Sequence, residues 1–129
     1  MKKVTIIYGD PGTGKTKMAM DLLNKFALVN TKVLNGRNVL NETFPFQNCD
    51  EDTAVILIDD LSCGDFLIGL VYMDASGIEI ERLNQPKITI NPEIIITTDN
   101  FSTDDFKQLG AGFLRRVNLI NLDTTCIPS

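Results

Sequence analysis

The chain contains no histidine and no tryptophan, and its three cysteines, Cys49, Cys63 and Cys126, stand far apart without the spacing of a metal site. These absences exclude histidine-based catalysis and structural zinc. No apolar run approaches the about 18 residues that a membrane-spanning helix needs. The run at residues 4–8 is also too short for a signal peptide. We therefore expect a cytoplasmic protein with free thiols and no membrane partner.

Basic residues are fewer than acidic ones, with 12 Lys and Arg against 17 Asp and Glu, for a net charge of −5 over 129 residues. This balance argues against broad, non-specific binding of nucleic acid, so any DNA contact must come from a local basic patch. The length is that of one domain with a substantial core. Because no repeat, low-complexity stretch or linker divides the chain, we expect a single domain over residues 1–129.

The most specific motif is a glycine-rich loop, GDPGTGKT at residues 9–16. It matches the pattern G-x-x-x-x-G-K-[ST] and lies between a β-branched strand and an amphipathic helix, as a phosphate-binding loop requires. Loop N–H groups and the helix N-terminus favour an anionic phosphate. We expect Lys15 to reach the β- and γ-phosphates of a nucleotide and the Thr16 hydroxyl to bind Mg²⁺. The other residues expected around the phosphates are Gly9, Asp10, Pro11, Gly12, Thr13 and Gly14.

A second motif, AVILIDD at residues 54–60, ends a strand with two carboxylates. Its five consecutive apolar residues indicate a strand that is buried on both faces. Open α/β sheets bind their ligands beyond the carboxyl ends of the strands. In a protein with a phosphate-binding loop, we therefore expect Asp59 to hold Mg²⁺ and Asp60 to orient or deprotonate the attacking water.

Apolar and polar residues alternate on both sides of Asn84-Gln85-Pro86, which predicts a β-hairpin. We expect these three residues to form its loop and to set Ile80 opposite Ile90, a register that gives the hairpin one apolar face. Arg82 and Lys87 lie near the tip, where a basic pair could contact a DNA phosphate. The alternative is an ordinary surface hairpin whose charges face water.

The strand predicted at residues 93–98 is followed by Asp99 and Asn100. If this strand lies beside the strand at 4–8, a polar side chain at its end lies next to the phosphate-binding loop. An amide there can position the attacking water or sense the γ-phosphate, and we expect Asn100 to do so, with Asp99 as the competing choice. The alternative is an Asx turn or a helix cap, which both residue types favour.

The rest of the chain carries weaker signals. The segment at residues 36–53 is polar and aperiodic, and we predict it to be a connection. The remaining predicted elements are strands at 32–35 and 117–122 and helices from residue 14, at 61–73 and at 102–116.

Four features in this order resemble the ATPase domain of superfamily 3 helicases: GDPGTGKT, ILIDD, a hairpin followed by IIITTDN, and FLRR before a strand. Those domains are the AAA-like motors of replication initiators in small DNA viruses, plasmids and phages. The resemblance covers about residues 4–122. It implies a three-layer α/β P-loop NTPase fold of the ASCE type, with a mainly parallel five-stranded sheet in the order 5-1-4-3-2, flanking helices and a β-hairpin before strand 4.

The resemblance also implies a function, which is Mg²⁺-dependent ATP hydrolysis that drives movement on single-stranded DNA in a bacterium or in the host cell of a virus or phage. By position, residues 9–16 look like Walker A, Asp59-Asp60 like Walker B and Asn100 like the motif C asparagine. Arg115 or Arg116 resembles the arginine finger, which acts on ATP held by the neighbouring subunit. The family forms rings, usually hexamers, so a homo-oligomer is implied.

Two departures from the family stand out. Leu83 and Gln85 occupy the hairpin positions at which family members carry lysine, although Arg82 and Lys87 are nearby. No nuclease or origin-binding domain precedes Met1, so we expect a motor alone, a truncated relative, or a part that works with a separate origin-binding or nuclease protein.

Three other classes of protein share part of this pattern. Helicase loaders and transposition helpers have a similar loop and an I-D-D-L motif, but they lack the hairpin. A small nucleotide or nucleoside kinase needs a lid with several arginines, and no arginine stands between residues 100 and 115. A non-catalytic nucleotide-binding module would differ only in having no turnover.

Overall fold

The computed structural model describes residues 4–10, 12, 14–25, 30–41, 46, 49–74, 77–82, 84–99 and 101–122. The strands in this part are β1 Val4–Tyr8, β2 Asn30–Asn35, β3 Thr53–Asp59, β4 Ile78–Arg82, β5 Gln85–Ile90, β6 Glu93–Thr98 and β7 Val117–Asn121. The helices are α1 Lys15–Asn24, α2 Gly36–Asn41, α3 Gly64–Asp74, α4 Thr103–Lys107 and α5 Ala111–Leu114. None of the helices in the described ranges is long and apolar enough to cross a membrane.

Five of the strands form one parallel sheet in the order β2-β3-β6-β1-β7. Read from its other edge and without the two hairpin strands, this is the order 5-1-4-3-2. The predicted fold class, a mainly parallel α/β sheet flanked by helices with a hairpin inserted before the fourth strand, is therefore confirmed. Each crossover between parallel neighbours contains a helix or the hairpin, because parallel strands cannot be joined by a tight turn.

The central strands are buried on both faces, which explains their long apolar runs. In β3, Ile56 and Ile58 belong to one hydrophobic cluster, whereas Val55 and Leu57 belong to another. The second cluster is completed by Ala19 and Leu23 of α1, and the first by residues of α3, α4, α5 and the hairpin. Helices therefore cover both faces of the sheet, and each fully buried aliphatic side chain stabilises the fold by about 1.5–3 kcal/mol.

The hairpin is an antiparallel pair, β4 and β5, that forms a sheet of its own. Ile78 pairs with Ile90, Ile80 with Ile88, and the register is irregular before Arg82 pairs with Gln85. The predicted three-residue loop with Ile80 opposite Ile90 is therefore wrong. The turn is shorter because Asn84 adopts a φ of 59°, a left-handed conformation that asparagine tolerates. Both registers keep the isoleucines on one face, and that face packs on the first cluster.

The predicted connection at residues 36–53 is wrong at its start, because residues 36–41 form α2. The Asn35 side-chain oxygen caps this helix by accepting hydrogen bonds from the N–H groups of Arg37 and Asn38 at 2.9 and 3.3 Å.

The predicted helix at 102–116 is divided into α4 and α5, because Gly110 takes a left-handed φ of 92° between them. The first of the two helices begins with a side-chain cap. Ser102 and Asp105 form a capping box in which each side chain accepts a hydrogen bond from the other residue's N–H.

Candidate nucleotide-binding site

The sheet order brings three functional segments to one edge. β6 lies between β1 and β3, and all three strands are parallel, so their carboxyl ends meet at the same edge. Tyr8 at the end of β1 is in register with Thr98 at the end of β6. The glycine-rich loop, the two acids and the polar end of β6 therefore lie side by side, where open α/β sheets bind their ligands.

Two glycines of the loop after β1 have positive φ angles, as the predicted phosphate-binding loop requires. Gly12 and Gly14 have φ values of 86° and 90°, which L side chains rarely adopt. Gly14 caps α1, and its carbonyl accepts the N–H of Met18 at 3.0 Å. The Lys15 ammonium donates a hydrogen bond to the Asp10 carbonyl at 2.8 Å, so it folds back toward the loop. Pro11 and Thr13, the other predicted loop residues, lie outside the described residues.

A hydrogen bond joins the start of α1 to the end of β3. The Thr16 hydroxyl donates to Asp59 Oδ1 at 3.0 Å. A threonine hydroxyl and a carboxylate are hard oxygen ligands, and Mg²⁺ is usually bound by one or two such groups together with water and substrate phosphates. The donor set at this position therefore fits Mg²⁺.

Thr97 was not predicted from the sequence, yet it connects both acids. Its buried hydroxyl donates to Asp59 Oδ1 at 2.7 Å and accepts the N–H of Asp60 at 2.7 Å. Its carbonyl accepts the N–H of Leu61 at 2.9 Å. The available signal was the pairing of β3 with β6, because the neighbouring pair Ile58 and Ile96 places Asp59 and Thr97 at the same level.

Asp60 differs from Asp59 in its backbone conformation. Its φ is 64°, in the left-handed region, and its side chain is 44% exposed. Asp60 Oδ2 lies 3.7 Å from Nε of Arg37, at the start of α2. Arg37 was missed as a site residue because its segment was predicted to be a connection. Strained backbone next to a ligand site is typical of residues that act on the ligand.

Asp99 directly follows β6, whose last residue, Thr98, is in register with Tyr8 at the end of β1. Asp99 is partly buried, and Asn100 lies outside the described residues. The condition for a polar residue beside the loop, that β6 neighbours β1, is met.

The two arginines that follow α5 lie at the amino ends of the strands, opposite the carboxyl ends where the loop and the acids meet. The Arg116 carbonyl accepts the N–H of Val4, where β1 begins. Since a strand rises about 3.3 Å per residue, the five residues of β1 separate this edge from the phosphate-binding loop by about 15 Å. Arg115 and Arg116 are therefore not brought to the site of their own chain.

The two arginines differ from each other. Nη1 of Arg116 donates to the Gly112 carbonyl at 2.6 Å, and its guanidinium lies 5.0 Å from the ring centroid of Tyr72. That distance is in the range of a cation–π contact. Arg115 is exposed.

The charged groups of the hairpin contact one another. Lys87 Nζ lies 3.1 Å from Glu81 Oε1, and both side chains are exposed. A hydrogen bond with Glu81 and the charges of Glu81 and Glu79 raise the pKa of Lys87, so its ammonium stays charged at neutral pH. The side chain of Arg82, the other predicted DNA contact, lies outside the described part of the chain.

The glycine-rich loop after β1 and the pair of acids at the end of β3, with the polar end of β6 between them, give the molecule the fold class of P-loop NTPases. The sequence profile described as RNA helicase matches residues 5–101. The chain therefore belongs to this family of superfamily 3 helicase domains, and the resemblance is confirmed. No curated protein sequence matches the chain.

Solved structures share the fold. The C-terminal region of NrS-1 in its apo A form has a TM-score of 0.58 and 20% identity, and the match covers 93% of this chain and 29% of that one. The JCV helicase has a TM-score of 0.58 and 21% identity, covering 92% and 35%. NtrX from Brucella abortus in complex with ADP has a TM-score of 0.58 and 12% identity, covering 93% and 32%. The chain thus spans about a third of the length of the chains in these solved structures.

Proposed function

We propose that this chain is the ATPase motor of a superfamily 3 helicase, which hydrolyses ATP with Mg²⁺ and acts on single-stranded DNA in the replication of a virus, phage or mobile element. The observation that carries the proposal is the hydrogen bond of 3.0 Å between Thr16 and Asp59. It brings together the loop that recognises phosphate and the acid that suits Mg²⁺. The family to which the chain belongs supports the same function.

Each residue of the site has a proposed role. Lys15 binds the β- and γ-phosphates and stabilises the charge that develops on them. Thr16 and Asp59 hold Mg²⁺, which neutralises the phosphate oxygens when it is bound. Asp60 orients a water molecule and accepts its proton as the oxygen attacks the γ-phosphorus and the bond to the β-phosphate oxygen breaks. Asn100 contacts the γ-phosphate or the water, and Asp99 is the competing residue.

The proposed active form is a homo-oligomer, in the family's usual form a hexameric ring. An arginine of one subunit would complete the site of its neighbour, because Arg115 and Arg116 lie at the sheet edge that is far from their own loop. Arg115 is the better candidate, since it is exposed whereas Arg116 contacts Gly112 and Tyr72 within the chain.

Contact with DNA is proposed for the hairpin, through Arg82 and Lys87 near its tip. Because Lys87 is paired with Glu81, its charge is less available to a DNA phosphate, so this part of the proposal depends more on Arg82. We further propose that residues 1–129 act as one ATPase domain in the cytoplasm. A separate origin-binding or nuclease protein would supply the functions that a motor lacks.

The test of the phosphate-binding loop is Lys15→Ala, with Lys17→Ala as its control, because Lys17 is an exposed lysine of the same helix. We expect Lys15→Ala to lower ATP turnover by at least about 10²-fold, as the loss of a charge-stabilising group at a transition state does. Lys17→Ala should retain wild-type turnover. Full ATPase activity of Lys15→Ala would exclude the proposed role of the loop.

The arginine finger is tested by mixing inactive variants. Arg115→Ala and Lys15→Ala should each be inactive, and a mixture should regain activity because some interfaces combine an intact finger with an intact loop. Arg116→Ala is the comparison. Because Arg116 contacts Gly112 and Tyr72 of its own chain, this variant should lose stability, and mixing it with Lys15→Ala should not restore activity. An unchanged activity of Arg115→Ala, or no recovery on mixing, would argue against a finger at this position.

The hairpin favours this proposal over a helicase loader, which lacks one. A non-catalytic nucleotide-binding module remains the second candidate function, and it has the same loop and acids. Measuring ATP turnover and sedimentation with and without single-stranded DNA separates the two. DNA-stimulated turnover together with ATP-driven assembly supports the motor, whereas nucleotide binding by a monomer without turnover supports the module.

A further inference from the structure

The junction between β2 and α2 packs closely against the backbone of Asp60 and Leu61. Gly36 lies so close to the end of β3 that a Cβ atom on it would be 2.5 Å from Cα of Leu61 and would also overlap the Asp60 carbonyl. Contacts this short to backbone atoms cannot be relieved by a change of rotamer. The residue after Gly36 is therefore held at a set position relative to Asp60.

The same junction is fixed from the other side by a helix cap. Asn35, the last residue of β2, accepts the N–H of Arg37 at 2.9 Å through its side-chain oxygen. Arg37, the second residue of α2, thus has its N–H hydrogen-bonded to Asn35 of β2, and Gly36 before it packs closely against the end of β3. Its Nε lies 3.7 Å from Asp60 Oδ2.

This ion pair has little to do with folding. The side chains of Arg37 and Asp60 are 80% and 44% exposed, and exposed pairs contribute little to stability. Its position is more informative, because it engages one oxygen of the acid at the edge where the sheet binds its ligand. At 3.7 Å the guanidinium attracts Oδ2 by its charge and not through a hydrogen bond, and Oδ1 is the oxygen that can accept from a water molecule.

We propose that Arg37 is a positioning residue, which holds the carboxylate of Asp60 in the orientation that accepts a proton from the attacking water. The role rests on the proposed ATP hydrolysis. In this role Arg37 acts on turnover through Asp60, with which it forms its ion pair, and not through the nucleotide. The planar guanidinium fixes the direction of the carboxylate, which a lysine ammonium does less well.

The test compares Arg37→Ala, Arg37→Lys and the control Asn38→Ala, the exposed neighbour of Arg37 on α2. We expect Arg37→Ala to lower kcat about tenfold, less than the about 10²-fold that loss of the acid–base group itself costs. The KM for ATP and the melting temperature should not change. Arg37→Lys should recover part of kcat, and Asn38→Ala should match the wild type.

A double-variant comparison shows whether the effect passes through Asp60. In an Asp60→Asn background, Arg37→Ala should have no further effect on the residual kcat. An equal loss in both backgrounds, a rise in KM at unchanged kcat, or wild-type kcat in Arg37→Ala would each overturn the role of Arg37. The last result leaves the proposed ATPase intact, whereas a wild-type chain that binds ATP without turnover overturns both proposals.

Discussion

The molecule holds its charged groups in two different settings, the carboxyl edge of the five-stranded sheet and the surface of the β4–β5 hairpin. At the sheet edge, Asp59 receives hydrogen bonds from Thr16 and Thr97, which belong to different elements. On the hairpin, Lys87 is paired with Glu81 of the adjacent strand, in water. The first arrangement is built by strand order, and the second by which side chains happen to face each other.

This difference decides how far function can be inferred in each region. Three parallel strands must end at the same edge, so the loop and the acids meet whatever their surface neighbours are. A surface hairpin has no such constraint, because changing one of its charges leaves the fold intact. The predictions that follow test two expectations. Substitutions at the carboxyl edge of the sheet should change both stability and turnover, whereas substitutions of exposed residues on the hairpin should change neither.

The largest effect is expected for Gly36→Ala at the sheet edge. Its Cβ would overlap backbone at Asp60 and Leu61, so we expect the free energy of unfolding to fall by about 1–3 kcal/mol or more. Turnover should fall as well, because Asp60 is displaced. Urea unfolding and an ATPase assay measure the two effects.

The control is Gly69→Ala in α3, where a Cβ meets nothing within 4 Å. It should gain about 0.5–1 kcal/mol, since alanine is the better helix former. If both variants lose the same stability, close packing at residue 36 is not the cause.

An intermediate effect is expected for Thr97→Val, which keeps the shape of the side chain but removes the hydroxyl between the acids. The N–H of Asp60 loses its acceptor, which costs about 1–3 kcal/mol for a buried group. We also expect a lower kcat, measured under saturating ATP, because Asp59 loses a donor.

The same substitution on the hairpin, Thr89→Val, provides the comparison because Thr89 is exposed on β5. It should change neither unfolding nor turnover. Equal results at residues 89 and 97 would mean that the hydroxyl at the sheet edge does not couple the acids.

The smallest effect is expected for Glu81→Gln on the hairpin. It frees Lys87, so single-stranded DNA should bind more tightly if the hairpin contacts DNA, and the salt dependence should steepen by about 0.7 in log–log slope for one added phosphate contact. Fluorescence anisotropy over a range of salt concentrations measures this. Glu51→Gln, at an exposed position outside the hairpin, is the control. Unchanged affinity in Glu81→Gln would remove Lys87 from the DNA contact.

The ion pair between Lys87 and Glu81 should not make the free energy of unfolding depend on pH near neutrality. The pKa of Lys87 is raised above its ordinary value of 10.5 by Glu81 and Glu79. Any stabilisation from a raised pKa is complete below the unfolded value and is lost as the pH rises through the folded value. The free energy of unfolding, measured by urea titration, should therefore change with pH in the same way in Glu81→Gln and in the wild type between about pH 6 and 8.

The strands of the core were predictable because they are short apolar runs bounded by polar residues, and β3 and β6 lie within one residue of their expected bounds. Their order came from the resemblance, since a run buried on both faces does not identify its neighbours. The sequence could single out Asp59 and Asp60 as candidates because acids at a strand end carry a local signal, and β3 does end at Asp59.

What the sequence did not predict depends on contacts between distant segments. Arg37 and Thr97 contact acids that are far from them in the chain, and nothing in their own segments marks them. The division of the last helix did have a local signal in Gly110, which the prediction of one helix over residues 102–116 did not use. The hairpin register was missed because both registers give the same apolar face.

The placement of the α5 arginines limits how copies of this chain can assemble. The phosphate-binding loop follows the end of β1, whereas Arg116 is bonded to its beginning, so donor and acceptor surfaces face opposite ways. A two-fold, isologous pair would bring like surfaces together. A heterologous contact instead joins the arginine surface of one copy to the loop surface of the next, and it satisfies every copy only when the series closes on itself. An arginine that acts in trans therefore implies cyclic symmetry and gives the assembly a direction, with each subunit completing the site of one neighbour and receiving its own arginine from the other.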